Sequence, residues 1–567
     1  MIKEIRYPVI SLFLSVLIIF SCKSAPERPR DAAGFPSARD NRQLSGGLAD
    51  EIRSLIETGR LSSMNQALEI IRSRELSDVD FGRVMNGVCT LLIRLVYPDA
   101  ATRLPVIDLP QTHNYTRIIR EAEKGNYLSP PENSSDFFEY ILPFLAVNSE
   151  ASSGNLGNVL SDLEKAGELR PFSIFPPFLQ GLFYERTGKY EQAQAAYRRA
   201  FEISNECYPA QAGIARVMRL SGNKEAAAAL FSDLVINYPD SLDVKRQLAV
   251  TYYENSDWSR AGPAVDEILQ HEPRDGEFLL MKAHILIEQG NFSQAQAPLD
   301  AYSSINSNNR KYLFLRARLQ AEGNRNRDSA LNYLRSIIRT NGNDEEALIY
   351  AVRLLMESQR PADQTEGREL LERLQQVSGS SLAVLSLSLR DAVQSENWRS
   401  AQGFLTRILV VRRTPQDLID AYYAERGLGN NARGLSYARE LYETDASNIE
   451  YAVIYISALI DNGRRDEASR MLEARLAASA GAAVKSMLYY QRSRIQNDEE
   501  TALGDLRSSL FEDPRNLEAL IAMFERYHRR REERRAVYYL RQALALFPDN
   551  PRVKRYEKEY AALLNRN

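Results

Sequence analysis

FPPFLQGLFYERTGKYEQAQAAYRRAFEISNECY, residues 175–208, reads as a helix hairpin of about 34 residues. Its apolar residues follow helical spacing on both sides of Gly188-Lys189-Tyr190, which predicts one helix from about Pro177 to Thr187 and a second from Glu191 to Ser204. Gly181 permits close helix contact with Tyr184 beside it, Ala193 is small where the helices cross, and Tyr197 and Ala200 face the next unit. The same small residue followed four positions later by a large one returns at Ala227/Phe231, Ala261/Val265, Ala295/Leu299, Ala330/Leu334, Gly367/Leu371 and Ala401/Leu405. It continues at Ala468/Leu472, Ala502/Leu506 and Ala536/Leu540, with a degenerate first copy at Val159/Leu163 and a copy lacking the large member at Gly434/Ala438. The steps cluster at about 34 residues; Ala401 to Gly434 falls one short, Ala295 to Ala330 runs one over, and Ala330 to Gly367 is the longest. Such a period marks an array in which each unit buries its apolar face by stacking on its neighbours.

The bulk numbers agree with an array. At 567 residues the chain is longer than a single compact core, and 75 acidic against 72 basic side chains leave a net charge of -3. No long-range field of that size draws the molecule to nucleic acid or an anionic surface. Turn glycines recur at Gly188, Gly222, Gly290, Gly429 and Gly463, where a left-handed backbone is cheapest. Prolines close second helices at Pro171, Pro239, Pro273, Pro514 and Pro548.

These positions resemble the tetratricopeptide repeat, whose units carry aromatic, small, Tyr, small, aromatic, small and Pro at set offsets within about 34 residues. The resemblance covers about three quarters of the chain and is strongest over Phe175–Ser307 and Asn448–Asp549. It implies an all-α, right-handed superhelical solenoid of about twelve hairpins over residues 136–550, ending in a capping helix over 551–567. Ahead of it, residues 48–135 read as an N-terminal helical cap, with helices near Leu48–Thr58, Ser62–Arg74, Asp78–Val96 (capped by Asp78) and Tyr115–Lys124. Its proline-rich connection is expected to cover the first repeat. Arg360-Pro361-Ala362-Asp363-Gln364 is expected to lengthen one turn, making Asn341–Gly367 a candidate elbow.

The first residues read as a targeting segment. Lys3 and Arg6 precede an almost continuous apolar run from Val9 to Phe20, too short and abruptly ended for a comfortable span. Ile19-Phe20-Ser21-Cys22 resembles the lipobox of bacterial lipoproteins, although Phe20 departs from the strict consensus. The resemblance implies a signal peptide over 1–21, acylation of Cys22, and anchorage to a bacterial membrane facing the periplasm, of the kind seen in spirochaetal repeat lipoproteins. Residues 22–47, rich in Ser, Pro and Gly, read as a flexible tether. Export permits a disulfide, but Cys89 and Cys207 lie far apart in an array whose units touch mainly their neighbours, so separate free thiols are expected.

Little in the chain points to bond-making chemistry. His113, His271, His284 and His528 lack a second ligand in metal spacing, and Gly427-Leu428-Gly429-Asn430-Asn431-Ala432 follows a helix where a dinucleotide fingerprint needs a strand. The run Arg526–Arg535 reads as a solvated turn with interleaved acids. No enzyme, no cofactor, no metal and no nucleic acid are therefore expected. The surface of interest is the outward face of each first helix, where the family offsets place Glu185, Arg216, Arg219, Arg246, Val250, Tyr253, Leu280, His284 and Ile287. Arg216, Arg219, Arg246, Tyr253 and His284 suit an extended peptide, giving planar hydrogen bonding, charge and contact area. Phe178, Leu182, Gly213 and Arg246 replace the residues of the carboxylate clamp, so that mode does not apply. The expected function is a non-catalytic scaffold for protein partners of the cell envelope. The alternative is a ligand-binding accessory of envelope transport, favoured by the aromatic-rich stretch Phe172–Phe183.

Overall fold

The computed structural model describes residues 46–566, apart from 105–108, 112, 148–157, 359, 479–480 and 549. The expected signal segment, Cys22 and the expected tether up to residue 45 lie outside the described residues. All regular structure among the described residues is helical, and no described helix is long and apolar enough to cross a membrane. The described residues divide into two compact units, the first ending at Asn324 and the second beginning at Arg325.

In the first unit, helices Gly46–Glu57, Leu61–Ser73, Asp80–Val96 and Asn114–Glu123 lead into the hairpins. Asp78 does not hold the capping position expected of it. It closes a 3-10 turn, Leu76–Asp78, and Val79 takes the capping position without a side-chain hydrogen bond. The turn folds back so tightly that a Cβ on Gly82 would lie 2.1 Å from the Leu76 carbonyl oxygen. The region also does more than cover the first repeat: it runs along the edge made by three successive inter-hairpin loops. The Ile174 N–H donates to the Thr58 carbonyl at 3.1 Å and Arg170 pairs with Glu57. Ser62 donates to Glu206 at 2.7 Å. Asp99 accepts from the Tyr208 hydroxyl at 3.1 Å, the Asp243 N–H at 3.0 Å and the Ser241 hydroxyl. Cys89 and Cys207 are buried free thiols; burial pushes Cys207 up to about 12.

Five hairpins follow, each a helix A and a helix B: Phe137–Ile141 with Val159–Leu169, Phe175–Arg186 with Tyr190–Ile203, Tyr208–Leu220 with Lys224–Asn237, Leu242–Glu254 with Trp258–His271, and Gly276–Glu288 with Phe292–Asn306. A sixth helix A, Arg310–Arg318, ends this unit, and its partner in sequence, Arg327–Thr340, opens the second. Hairpins seven to nine are Glu345–Met356 with Pro361–Ser378, Leu382–Gln394 with Trp398–Val411, and Pro415–Gly427 with Asn431–Thr444. Ten to twelve are Ile449–Asp461 with Arg465–Ala478, Ala482–Ile495 with Glu499–Glu512, and Leu517–Arg529 with Glu533–Leu546. The twelve pairs stand in the order the period predicts.

Every helix B pair that defines the repeat is buried, from Val159 and Leu163 through Ala193 and Tyr197 to Ala536 and Leu540. Tyr197 shows why one member must be small and another large. A Cβ on Gly181 would lie 2.6 Å from its ring, and one on Gly213, in the next helix A, 2.7 Å. The ring is thus wedged between two glycines of successive hairpins, and it is Tyr197, not Tyr184, that fills the space beside Gly181. In the ninth hairpin the volumes change places. Tyr422 stands at the register of Gly181 and Ala438 at that of Tyr197, both buried, with the Tyr422 ring 3.6 Å from where a Gly434 Cβ would be.

The long steps are absorbed mainly inside helices. The extra residue between Ala295 and Ala330 forms a π-helical turn, Leu319–Gly323, after the sixth helix A. The longest step, from Ala330 to Gly367, leaves four residues between Met356 and Pro361 where the neighbouring hairpins have three, and goes mainly into helix B: Pro361 becomes the first residue of an 18-residue helix, where its missing N–H is no loss. The division into units falls after Asn324. The single capping helix expected at the end is two, Pro551–Glu559 and Ala561–Arg566, broken at Tyr560, whose ring meets Phe524 edge-on at 4.8 Å.

The glycine positions separate two physical situations. Gly181→Ala and Gly213→Ala should each cost about 1–3 kcal/mol by overpacking, whereas Gly403→Ala and Gly504→Ala, which meet nothing within 4 Å, should gain up to about 1 kcal/mol. Urea melts of the four variants check the ordering. The hairpin turn also places side chains in the left-handed region at Ser256 (φ 56°), Arg325 (51°), Glu396 (53°) and Arg531 (60°), in register with the turn glycines. Ser256→Gly, Glu396→Gly and Arg531→Gly should each stabilise by about 0.5–1 kcal/mol, read as a raised melting temperature.

Candidate functional site

Residues of successive A helices in the first unit are joined by a ladder of polar contacts, each rung spanning close to one repeat. Glu185 accepts both from Arg216, at 2.9 and 3.0 Å, and from the Tyr197 hydroxyl at 2.6 Å. Arg219 donates to Glu254 at 2.8 Å and to Gln247 at 3.3 Å. Arg246 reaches Asp275 at 2.5 Å, pairs with Glu272, and lays its guanidinium 4.7 Å from the Phe278 ring centre. Asp275 in turn caps the fifth helix A by accepting from the Phe278 N–H.

The ladder continues through a histidine. The Tyr253 hydroxyl lies 2.6 Å from His284 Nδ1, and His284 Nε2 lies 3.2 Å from Glu288. A carboxylate only accepts, so Nε2 carries a proton, and in the neutral imidazole Nδ1 then accepts from Tyr253. Burial holds His284 below the ordinary histidine value, with Glu288 opposing and Lys311 and Arg318 reinforcing it. Arg318 closes the series on Glu288 at 2.5 Å.

All five residues expected to contact a partner, Arg216, Arg219, Arg246, Tyr253 and His284, therefore stand on one helix A series and bind their neighbours along it. Their charges are not open. Arg219 is buried and the Arg216–Glu185 side chains are only 16% and 11% exposed. Removing one member of such a pair strands a desolvated charge, a loss of about 3–5 kcal/mol in buried cases. Val250, Leu280 and Ile287, placed on the open face by their offsets, are buried in the packing between hairpins. The aromatic stretch is also largely structural: Phe175, Phe178 and Phe183 are buried, and Phe172 stands 81% exposed.

Three charged residues that the offset rule missed share one register near the start of helix A, each one repeat after the last: Asp243, Glu277 and Lys311. Recurrence of charge at the repeat period was the available signal. Lys311 faces the Tyr253 ring at 5.0 Å, and burial lowers its pKa, with Glu277 opposing. Burial likewise raises Glu277, Asp275 adding to it and Arg246, Lys311 and Arg219 opposing. Neither makes an ion pair within 4.0 Å among the described residues.

The match to a family model falls on this stretch. Residues 186–250 and 252–319 fit the tetratricopeptide-repeat family model. These hairpins are tetratricopeptide repeats. In the human protein O-mannosyl-transferase TMTC1, 120 residues are 25% identical, spanning 21% of this chain and 13% of that protein. Among solved structures, YrrB, described as a tetratricopeptide-repeat protein with an unusual peptide-binding site, is 18% identical over 33% of this chain and 95% of its own, with a TM-score of 0.29. Pseudomonas aeruginosa pilF is 19% identical over 37% and 94%, with a TM-score of 0.33. The human IFIT1 dimer with m7Gppp-AAAA is 12% identical over 70% and 93%, with a TM-score of 0.37. Tetratricopeptide repeats bind protein or peptide partners, and the helix A series is the surface on which this unit presents charge in register.

One carboxyl gives the ladder a pH signature. Burial pushes Asp243 up to about 6, Asp99 adding to the effect and Arg216, Arg246 and Gln247 opposing it. The unfolded carboxyl titrates near 4, so above about pH 6 the ionised group opposes folding in full, and the folded state recovers stability by taking up a proton as pH falls towards about 4. Asp243→Asn should thus be more stable than the parent by about 1–2 kcal/mol at pH 7.5, with the gap closing near pH 4. Urea melts at pH 4, 5.5 and 7.5 measure it, and a gap constant across that range would contradict the assignment.

Proposed function

We propose that this protein is a membrane-anchored, non-catalytic scaffold of the bacterial cell envelope, tethered by an acylated Cys22 and holding protein partners on the helix A series of its first unit. The observation that carries the reading is the pre-set ladder. Arg216, Arg219, Arg246, Tyr253 and His284 are immobilised by their neighbours before any partner arrives, so little side-chain entropy is left to lose on binding. Lys311 and Glu277 stand beside them with charges that form no ion pair among the described residues. An extended segment carrying one acidic and one basic side chain would meet Lys311 and Glu277 and lie along Tyr253 and His284. Acylation with more than one chain holds such a scaffold stably at a bilayer, and confinement there raises the effective concentration of weak contacts.

The test is cross-linking of the native protein in the envelope, read by mass spectrometry. A reproducible set of envelope proteins should be captured, and capture should fall at least tenfold in a Lys311→Ala, Glu277→Gln double variant whose melting temperature is unchanged. Undiminished capture by that variant would remove the helix A series as the site. Separately, Cys22→Ser should abolish incorporation of an alkyne fatty acid; retained label would refute the anchor.

A further inference from the structure

Between the last two B helices, Glu499–Glu512 and Glu533–Leu546, lies a recess of about 370 Å³ lined by Arg507, Tyr527, Arg534, Arg535, Tyr538 and Tyr539. It adjoins the arginine-rich run 526–535, in which three of the six arginines, Arg526, Arg530 and Arg535, are held in ion pairs. Arg526 reaches Glu499 at 2.5 Å, and Arg530 reaches Glu500 at 2.6 Å and Glu532 at 2.8 Å. The same two carboxylates are shared with the recess: Arg535 lies 2.6 Å from Glu532 and Arg507 4.0 Å from Glu500. Arg534, exposed, has no carboxylate within ion-pair distance among the described residues. Two acids thus serve Arg507, Arg530 and Arg535, and Arg534 adds an uncompensated charge.

The other half of the wall is aromatic. Tyr527 and Tyr539 stack with planes 7° apart and centres 5.8 Å apart, Arg535 lies 5.5 Å from the Tyr527 ring centre, and Arg507 donates to the Tyr527 hydroxyl at 3.4 Å. Tyr538 meets Tyr539 edge-on at 5.1 Å and keeps 57% of its surface open. A guanidinium fork matches the oxygens of a phosphate or carboxylate, and an open tyrosine face takes a flat or puckered ring.

We propose that this recess binds a small organic anion in which a phosphate or carboxylate is carried on a ring. Arg534 and Arg507 hold the anionic group, and the ring lies on Tyr538. Glu500 and Glu532 beside the recess repel a polyanion running across it, while a single anionic group fits between them. Aryl and sugar rings satisfy the same chemistry.

Calorimetric titration of the full chain with phenyl phosphate, glucose 6-phosphate and inorganic phosphate tests it. At least one ring probe should bind ten or more times tighter than inorganic phosphate, and which of the two does so identifies the ring type. Arg534→Gln and Tyr538→Ala, both at exposed positions, should each weaken that binding at least fivefold without moving the melting temperature. Inorganic phosphate binding as tightly as both ring probes, failure of both ring probes to saturate, or binding indifferent to both variants would overturn the proposal.

Discussion

A wedge of one large side chain against small ones, repeated between neighbouring helices, is what the rest of the molecule depends on. A single hairpin has too little interior to bury its apolar face alone, so its stability resides in the interface with the next. Tyr197 between Gly181 and Gly213 states the rule in one place: the ring supplies the buried area, and the absence of two Cβ atoms supplies the room. The ninth hairpin shows that the rule concerns volume and not residue identity, because Tyr422 and Ala438 hold the same two positions with sizes exchanged. Core packing tolerates such compensated swaps far better than it tolerates either change alone.

Much of this was legible in the sequence because the wedge is local and periodic. Ala193/Tyr197 and its copies sit four residues apart on one helix face, so the buried register follows from the spacing itself. The failures share a cause. Asp78, Arg360–Gln364 and Tyr560 lie where the chain departs from the period, and each departure was resolved by a neighbour that periodicity does not name. The Leu76 carbonyl pressed on Gly82 moved one helix start, and Pro361 moved another by fitting the first helical turn. The pull of Phe524 on Tyr560 accompanies the break in the last helix. The N-terminal region lay beyond the same method, since nothing in its composition says that Asp99 meets the first turns of two A helices.

The helix A series was half legible for a related reason. Family offsets bring Arg216, Arg219, Arg246, Tyr253 and His284 to one series, which requires only the repeat. Whether each charge is open or taken requires knowing the partner one unit away, as with Glu185, Glu254 and Asp275. Long side chains on neighbouring units reach one another easily, so an array that places an arginine opposite an acid tends to consume both. Asp243, Glu277 and Lys311 escaped notice because they begin their helices, a position that sequence reading associates with capping and dipole effects before binding.

The ladder and the wedge act at different levels of the same problem. Apolar wedges fix the distance between hairpins but are indifferent to small rotations, since dispersion contacts have no direction. A bidentate pair such as Arg216–Glu185 has a direction, and it holds only one relative placement of two A helices. Burying such pairs adds little net stability, because desolvation offsets most of the attraction. What they contribute is a fixed register, so that Glu277 and Lys311, one repeat apart in sequence, keep a constant spacing in space. A surface with charges at constant spacing can discriminate between partners by the spacing of their own charges; a surface of the same composition on a loose array could not.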